Sequence, residues 1–428
     1  MLRVVVVGGG WAGCAASLTA KKAGADEVLL IERCDMLLGT GLVGGIMRNN
    51  GRYTAAEEGI AMGCGELFEV ADHVSRHKNI EFPGHKHAFL YDITAIEPAV
   101  KKKLLCYGVD VLTETRITDI KRAGQAITSV ITAQGREIPG DIFVETTGTA
   151  GPAGNCAKFG NGCVMCIYRC PTFGPRVSIA GRAGIKEKMG VNTDGSTGAM
   201  SGSCKLHKES LSDDIIRELQ QKGVVVRPIP EFLKKGDKML ARKACQQYAG
   251  KDFADNVVLL DTGHAKLMSP YFPLELLRQV PGFEKARFED PYSGGIGNSI
   301  RFLAISPVNR YLQTKGLENL FCAGEKAGPL VGHTEAIITG SLAGHNGVRQ
   351  AKGFPLIKIP ETLACGDILD QVNKALETEE GLAKRYTFSG GLYFQRMQEK
   401  GTYSTDREEI KRRVDQSGMM GIFDGPIR

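Results

Sequence analysis

Val4-Val5-Val6-Val7-Gly8-Gly9-Gly10-Trp11-Ala12-Gly13-Cys14-Ala15-Ala16-Ser17 decides the fold, because its pattern changes twice in one short stretch. The β-branched run fits a strand buried on both faces, as in a parallel sheet. A G-x-G-x-x-G turn follows at once, and the Ala-rich segment from Cys14 to Ala23 reads as a helix. Gly8 permits the sharp turn, Gly10 lets the main chain approach a pyrophosphate, and Gly13 lets the helix pack on the strand with its N-terminus on the phosphates. A second apolar strand, Val28 to Ile31, ends in Glu32, about 20 residues after Gly13, where a carboxylate accepts hydrogen bonds from the ribose hydroxyls of an ADP moiety. Arg33 lies beside it. An acid here also disfavours a 2′-phosphorylated nucleotide, since two anions repel.

FAD and NAD share this half-site, and the rest of the chain favours FAD. The loop after the second strand, Gly39-Thr40-Gly41-Leu42-Val43-Gly44-Gly45, brings bare backbone to a flat ring system. Gly108 to Ile120, which contains Ile117, and then Ser129 to Ile142 alternate as a small β-meander that ends in Phe143-Val144-Glu145-Thr146-Thr147-Gly148. Asn319 to Glu325 is a further strand that delivers Gly324 and the acid Glu325 at its end, placed for the ribityl chain. Gly332-His333-Thr334-Glu335 opens an apolar helix, whose N-terminus stabilises negative charge on a reduced flavin. His333 and Glu335 are the candidates for proton relay there, with helix capping as the alternative.

VVVVGGGWAGCAAS at 4–17, VETTGTAG at 144–151, VPGFEKARFEDPYSGGIGNSI at 280–300 and GLENLFCAGEKAGPLVGHTEAIITGSLAGHNG at 316–347 resemble the flavin-dependent tRNA-modifying enzymes of the GidA/TrmFO group and their kin, FAD-dependent oxidoreductases of glutathione-reductase-type fold. The resemblance implies one FAD and a cytoplasmic location. It also implies transient reduction by NAD(P)H docking without its own Rossmann domain. Gly294-Gly295-Ile296-Gly297 agrees, having neither a clear strand before it nor a dinucleotide helix after it, which disfavours a disulfide reductase with two nucleotide domains. The likeness is slight in 155–279 and after 352, so it speaks to cofactor and fold more than to substrate.

The middle region carries Cys156 and then Cys163, Cys166 and Cys170 before Pro171, a C-x2-C-x3-C-P spacing like the end of a ferredoxin run. Three readings stay open: ligands of a [4Fe-4S] cluster, a Cys163/Cys166 redox pair with Lys158, Arg169 and Arg176 lowering a thiol pKa, or packed reduced thiols. Cys14, Cys34 and Cys322 read as small core residues. His85, His87, Asp261 and His264 are weaker metal candidates, better read as surface or structural groups.

A net charge of +6 on 428 residues permits an anionic partner such as tRNA without demanding one. With 42% hydrophobic and 24% charged residues, the composition is that of a globular protein and excludes a disordered one. No apolar run is long enough to span a bilayer, and strand Val4–Val7 begins too close to Met1 for a secretory leader, so the expected compartment is the cytoplasm. The expected fold class is α/β: a three-layer FAD/NAD(P)-binding Rossmann-like domain of parallel sheet plus β-meander, from 1–154 and 301–352. An inserted α+β substrate domain occupies 155–300, and 353–428 forms a C-terminal helical appendage introduced by Pro355 and Pro360. The expected function is FAD-dependent electron transfer to an unidentified small-molecule or protein partner. A folate- and flavin-dependent tRNA-modifying enzyme, or a flavin electron carrier with a cluster, is the alternative, and a homodimer is compatible with each.

Overall fold

The computed structural model describes residues 1–149, 172–190, 199–201, 204–234, 248, 250–268, 272–289, 299–301 and 304–427. Five parallel strands form the central sheet: β1 (Arg3–Val7), β2 (Glu27–Ile31), β3 (Asp110–Leu112), β4 (Ile142–Glu145) and β5 (Leu320–Cys322). They lie in the order β5-β4-β1-β2-β3, with Val4 paired to Ile142 on one side and Val28 on the other. The order reverses direction at β1, so the crevice at its carboxyl end is the topological switch point, where open α/β sheets bind ligands.

Parallel strands need cover on both faces, and the valines of β1 supply one contact set to each. Val4 and Val6 join the larger core with α1 (Trp11–Lys22) and α2 (His333–Ala351). Val5 and Val7 pack with Ile117, Ile127, Val130 and Ile138 of the β-meander formed by Ile117–Ala123, Ala126–Thr132 and Glu137–Pro139. Helices, sheet and meander thus make three layers, as the alternation of the sequence predicts. Each buried valine contributes roughly 1.5–3 kcal/mol. The helices α1 and α2 meet backbone to backbone: a Cβ at Gly340 would lie 2.1 Å from Ala12 O, and one at Gly344 would lie 2.2 Å from Ala16 O. Larger residues at either position would push α2 off the sheet.

Two further sheets flank the crevice. Ile46–Met47, Ser75–Phe82 and His85–Tyr91 form one, and Cys204–Leu206, Val224–Pro228, Asn256–Asp261 and Ala265–Leu267 the other. Ile46, Phe82 and Leu90 of the first share a core with Val258, Leu260 and Met268 of the second. Beyond α2, helices Ala364–Ala375, Gly391–Glu399 and Arg407–Gln416 bring Ile368, Tyr393, Met397 and Val414 into the same core as α1 and α2, with Phe388 just before the second helix. Buried Glu58 caps the first of these helices, accepting from Ala364 N at 2.9 Å and Cys365 N at 2.8 Å. No helix among the described residues is long and apolar enough to cross a membrane.

Candidate functional site at the sheet switch point

The glycine turn sits at the end of β1. Gly8 has φ +109°, and a Cβ there would lie 2.6 Å from Thr146 O, so only glycine fits. A Cβ on Gly13 would lie 1.9 Å from Gly8 O, which is how α1 approaches the turn so closely. Gly10 differs: a Cβ there meets nothing within 4 Å. It is the N-cap of α1, with no side-chain cap and no acid in the first turn. The positive end of α1 therefore faces open space, the arrangement that takes an anion.

Glu32 is held beside the turn, accepting from Gly9 N at 2.7 Å through Oε2 and from Cys34 N at 2.9 Å through Oε1. Each oxygen keeps a further lone pair for a ribose hydroxyl. Gly8, Gly10, Arg33, Gly39 and Thr40 are half-buried among neighbours that are almost all buried, as are Thr147, Gly148, Glu325 and His333 at the other strand ends. The sequence-predicted positions thus share the carboxyl edge of the sheet. Ile117 is the exception, its side chain being buried in the meander core. Gly324 N is fixed by Thr339 Oγ1 at 2.9 Å, and Glu325 Oε2 accepts from Thr149 Oγ1 at 2.7 Å.

The Gly39–Gly45 loop owes its shape to His333 and to partners that sequence reading missed, Trp11, Tyr91 and Lys266. Gly41 leaves room for the Trp11 indole and Gly44 for the His333 imidazole, whose Cε1 lies 1.9 Å from where a Cβ would stand. Trp11 has ring neighbours in Tyr91 at 6.0 Å and His333 at 5.8 Å. Tyr91 Oη donates to Gly41 O at 2.6 Å and lies 3.4 Å from His333 Nδ1. Lys266 Nζ donates at 2.5 Å to Val43 O and Gly44 O, capping the end of the loop's helical turn. The lone tryptophan directly after the glycines was the one signal that could have drawn attention to this cluster.

His333 remains at the crevice, but Glu335 is turned away from it. Its carboxylate, 2% exposed, takes Arg52 Nε at 3.3 Å, Thr387 Oγ1 at 2.8 Å and Phe388 N at 2.8 Å. Gly332 is required at φ +147° because a Cβ would meet Glu335 and Arg52 near 2 Å. Thr334 is buried, 4.0 Å from Met47 Sδ. The geometry gives Glu335 an anchoring place rather than the relay position expected for it. Next to Glu325, Lys326 is fully buried against Glu145 at 3.6 Å and against Glu187. Burial pulls its ammonium down to about 8, against the pull of Glu145.

Cys156, Cys163, Cys166 and Cys170 lie outside the described residues, as do Lys158, Arg169 and Gly294–Gly297. Cys14 and Cys322 are buried, and burial pushes both thiols up, which suits packing rather than nucleophilicity. Among the weaker metal candidates, His85 stacks between Phe82 and Tyr248, and buried Asp261 is held by Arg76, His77 and Lys208. No metal-binding group of three or more His, Cys, Asp or Glu occurs among the described residues.

Comparison with known proteins agrees with this fold. Two crystal forms of Aquifex aeolicus GidA superpose with TM-scores of 0.66 and 0.59 at 16% identity, covering 98% and 97% of this chain and 73% and 78% of theirs. A curated relative from Thermus thermophilus, named tRNA uridine 5-carboxymethylaminomethyl modification enzyme MnmG, is 32% identical over 100 residues, a match covering 23% of this chain and only 16% of the relative. The family model described as glucose inhibited division protein A matches residues 3–257 and 261–355. With the glycine turn and most of its length within that match, the chain belongs to the glucose inhibited division protein A family.

Proposed function

We propose that this chain is an FAD-dependent oxidoreductase that modifies tRNA, with NAD(P)H as its transient reductant. The observation that carries the cofactor is the uncapped N-terminus of α1 facing open space at Gly10 with the Glu32 carboxylate fixed beside it. That pair fits the two ends of an ADP moiety, anionic and hydroxylic. When bound, the flavin supplies hydride transfer. The chain's own residues bind and orient: Glu32 takes the ribose, Glu325 the ribityl hydroxyls, and the half-buried His333 holds a proton at the mouth of the crevice. Family membership and the tRNA-modifying relative favour tRNA over an unidentified small substrate. A folate-derived one-carbon unit is the proposed carbon source.

The test mixes anaerobically reduced protein with unmodified tRNA and methylenetetrahydrofolate, followed by nucleoside mass analysis. A new modified nucleoside is expected. Absence of any tRNA binding at low salt would contradict the reading. The four middle-region cysteines are a separate proposal, as cluster ligands or as a redox pair. Iron analysis and anaerobic dithionite titration decide it: iron supports the cluster, and two electrons beyond the flavin's own support the dithiol.

A further inference from the structure

The short segment Gly174–Arg176 is held to residues past the ends of two strands of the central sheet. Arg33, just past the end of β2, donates through Nη1 to Gly174 O. Arg116 Nε donates to Pro175 O at 2.8 Å, and Thr115 N in turn donates to Glu32 O at 3.0 Å. Arg176 then reaches Thr147, just past the end of β4, with Nη1 3.4 Å from Thr147 Oγ1. With the strands in the order β4-β1-β2, contacts past β2 and past β4 at the two ends of this segment bracket the end of β1. The turn Gly8–Gly10 is what lies there.

Arg176 forms no ion pair within 4.0 Å among the described residues. Its Nε is buried and has no hydrogen-bond partner among the described residues. The nearest carboxylate past β4, Glu145, is already engaged: Oε1 accepts from Thr147 Oγ1 at 2.9 Å and Ile179 N at 3.0 Å, Oε2 accepts from Ala180 N at 2.7 Å, and Lys326 is close by. Burial pushes the Arg176 guanidinium below its ordinary range; Glu145 opposes this, Arg33 adds to it and Glu325 opposes it. Arg176 is thus within electrostatic reach of Arg33, past β2, and of Glu325, past β5. A half-buried guanidinium whose shielded Nε lacks a partner is stabilised by a bound anion. A diphosphate, doubly charged and rich in acceptors, matches a guanidinium fork.

We propose that Gly174–Arg176 is a strap over the dinucleotide and that Arg176 supplies the counter-charge for the FAD diphosphate, opposite the N-terminus of α1. This rests on FAD occupying the crevice and assigns a ligand-binding residue to a part of the chain outside the β1–turn–α1 motif.

The experiment strips flavin from the full chain and measures the affinities of the wild type, Arg176→Gln and Arg176→Lys for FAD, ADP and adenosine by titration calorimetry. For Arg176→Gln the expected result is at least a tenfold loss for FAD and ADP, with adenosine, which has no diphosphate, changed less than twofold. Arg176→Lys keeps the charge but not the fork, so its loss for ADP should be smaller yet measurable. Equal losses for ADP and adenosine, or none for either, would overturn the proposal. Should Arg176→Gln fail to fold, Arg176→Lys decides alone: ADP affinity equal to wild type overturns it. A wild type that binds neither FAD nor ADP sinks the cofactor reading itself, an outcome separable from failure of the strap.

Discussion

Gly10 and Gly13 belong to the same motif, yet the structure asks different things of them. Ala at Gly13 drives its methyl into Gly8 O, so Gly13→Ala should lower the melting temperature of the flavin-free protein by several degrees. Gly10→Ala has room for its methyl and an ordinary φ of −70°, so it should leave that melting temperature nearly unchanged. It should nonetheless weaken FAD at least tenfold, because the methyl occupies the space left for phosphate. Equal FAD affinity in Gly10→Ala and wild type would place the diphosphate elsewhere. His345, on α2, gives a pH signature: it is 2% exposed, both ring nitrogens lack partners among the described residues, and burial pulls its pKa to about 4. The folded state resists a proton that the unfolded chain accepts near pH 6.5. The stability linked to His345 is therefore full above pH 6.5 and falls by roughly 3 kcal/mol as pH drops towards 4, by the linkage of pKa to stability. Denaturant midpoints from pH 7.5 to 4.5 should fall more steeply for wild type than for His345→Leu. Parallel curves would show that His345 is not buried neutral.

At the scale of elements, the N-terminus of α2 is tied to the chain's far end through Glu335. Glu335→Gln removes one charge of a buried pair with Arg52 and should cost about 3 kcal/mol or more. Faster proteolysis around 386–389 should follow, because Thr387 and Phe388 exchange a charged carboxylate acceptor for a weaker neutral amide oxygen. A proton relay would behave in the opposite way, with stability kept and the pH profile of flavin reduction displaced. This contact also shows where reading the sequence stops. Strand β1, the turn, α1 and Glu32 are legible because their periodicity, φ requirement and spacing are all local. The meander is legible for the same reason, through alternation. Arg52 meets Glu335 across 283 positions and Lys266 meets Val43 across 223, and no local pattern marks either partner. Trp11 and Tyr91 escaped notice because an aromatic beside glycines reads equally well as core.

For the whole molecule, the three-layer order was legible in the succession of elements, since strand, helix and meander patterns leave few topologies. How tightly the helices after 353 share the core of α1 was not, because their apolar faces name no partner until the chain is folded. The same holds for the proposed strap: Arg176 reads as a basic residue near cysteines, and only the folded chain brings it to Thr147, past the end of β4. The central claim is that the crevice at the end of β1 is built for the ADP half of FAD. Parallel titration of flavin-free protein with FAD and FMN tests it most directly. One FAD per chain, bound at least a hundredfold more tightly than FMN, is the predicted result. Equal affinity for the two flavins, or no binding of FAD, would contradict it.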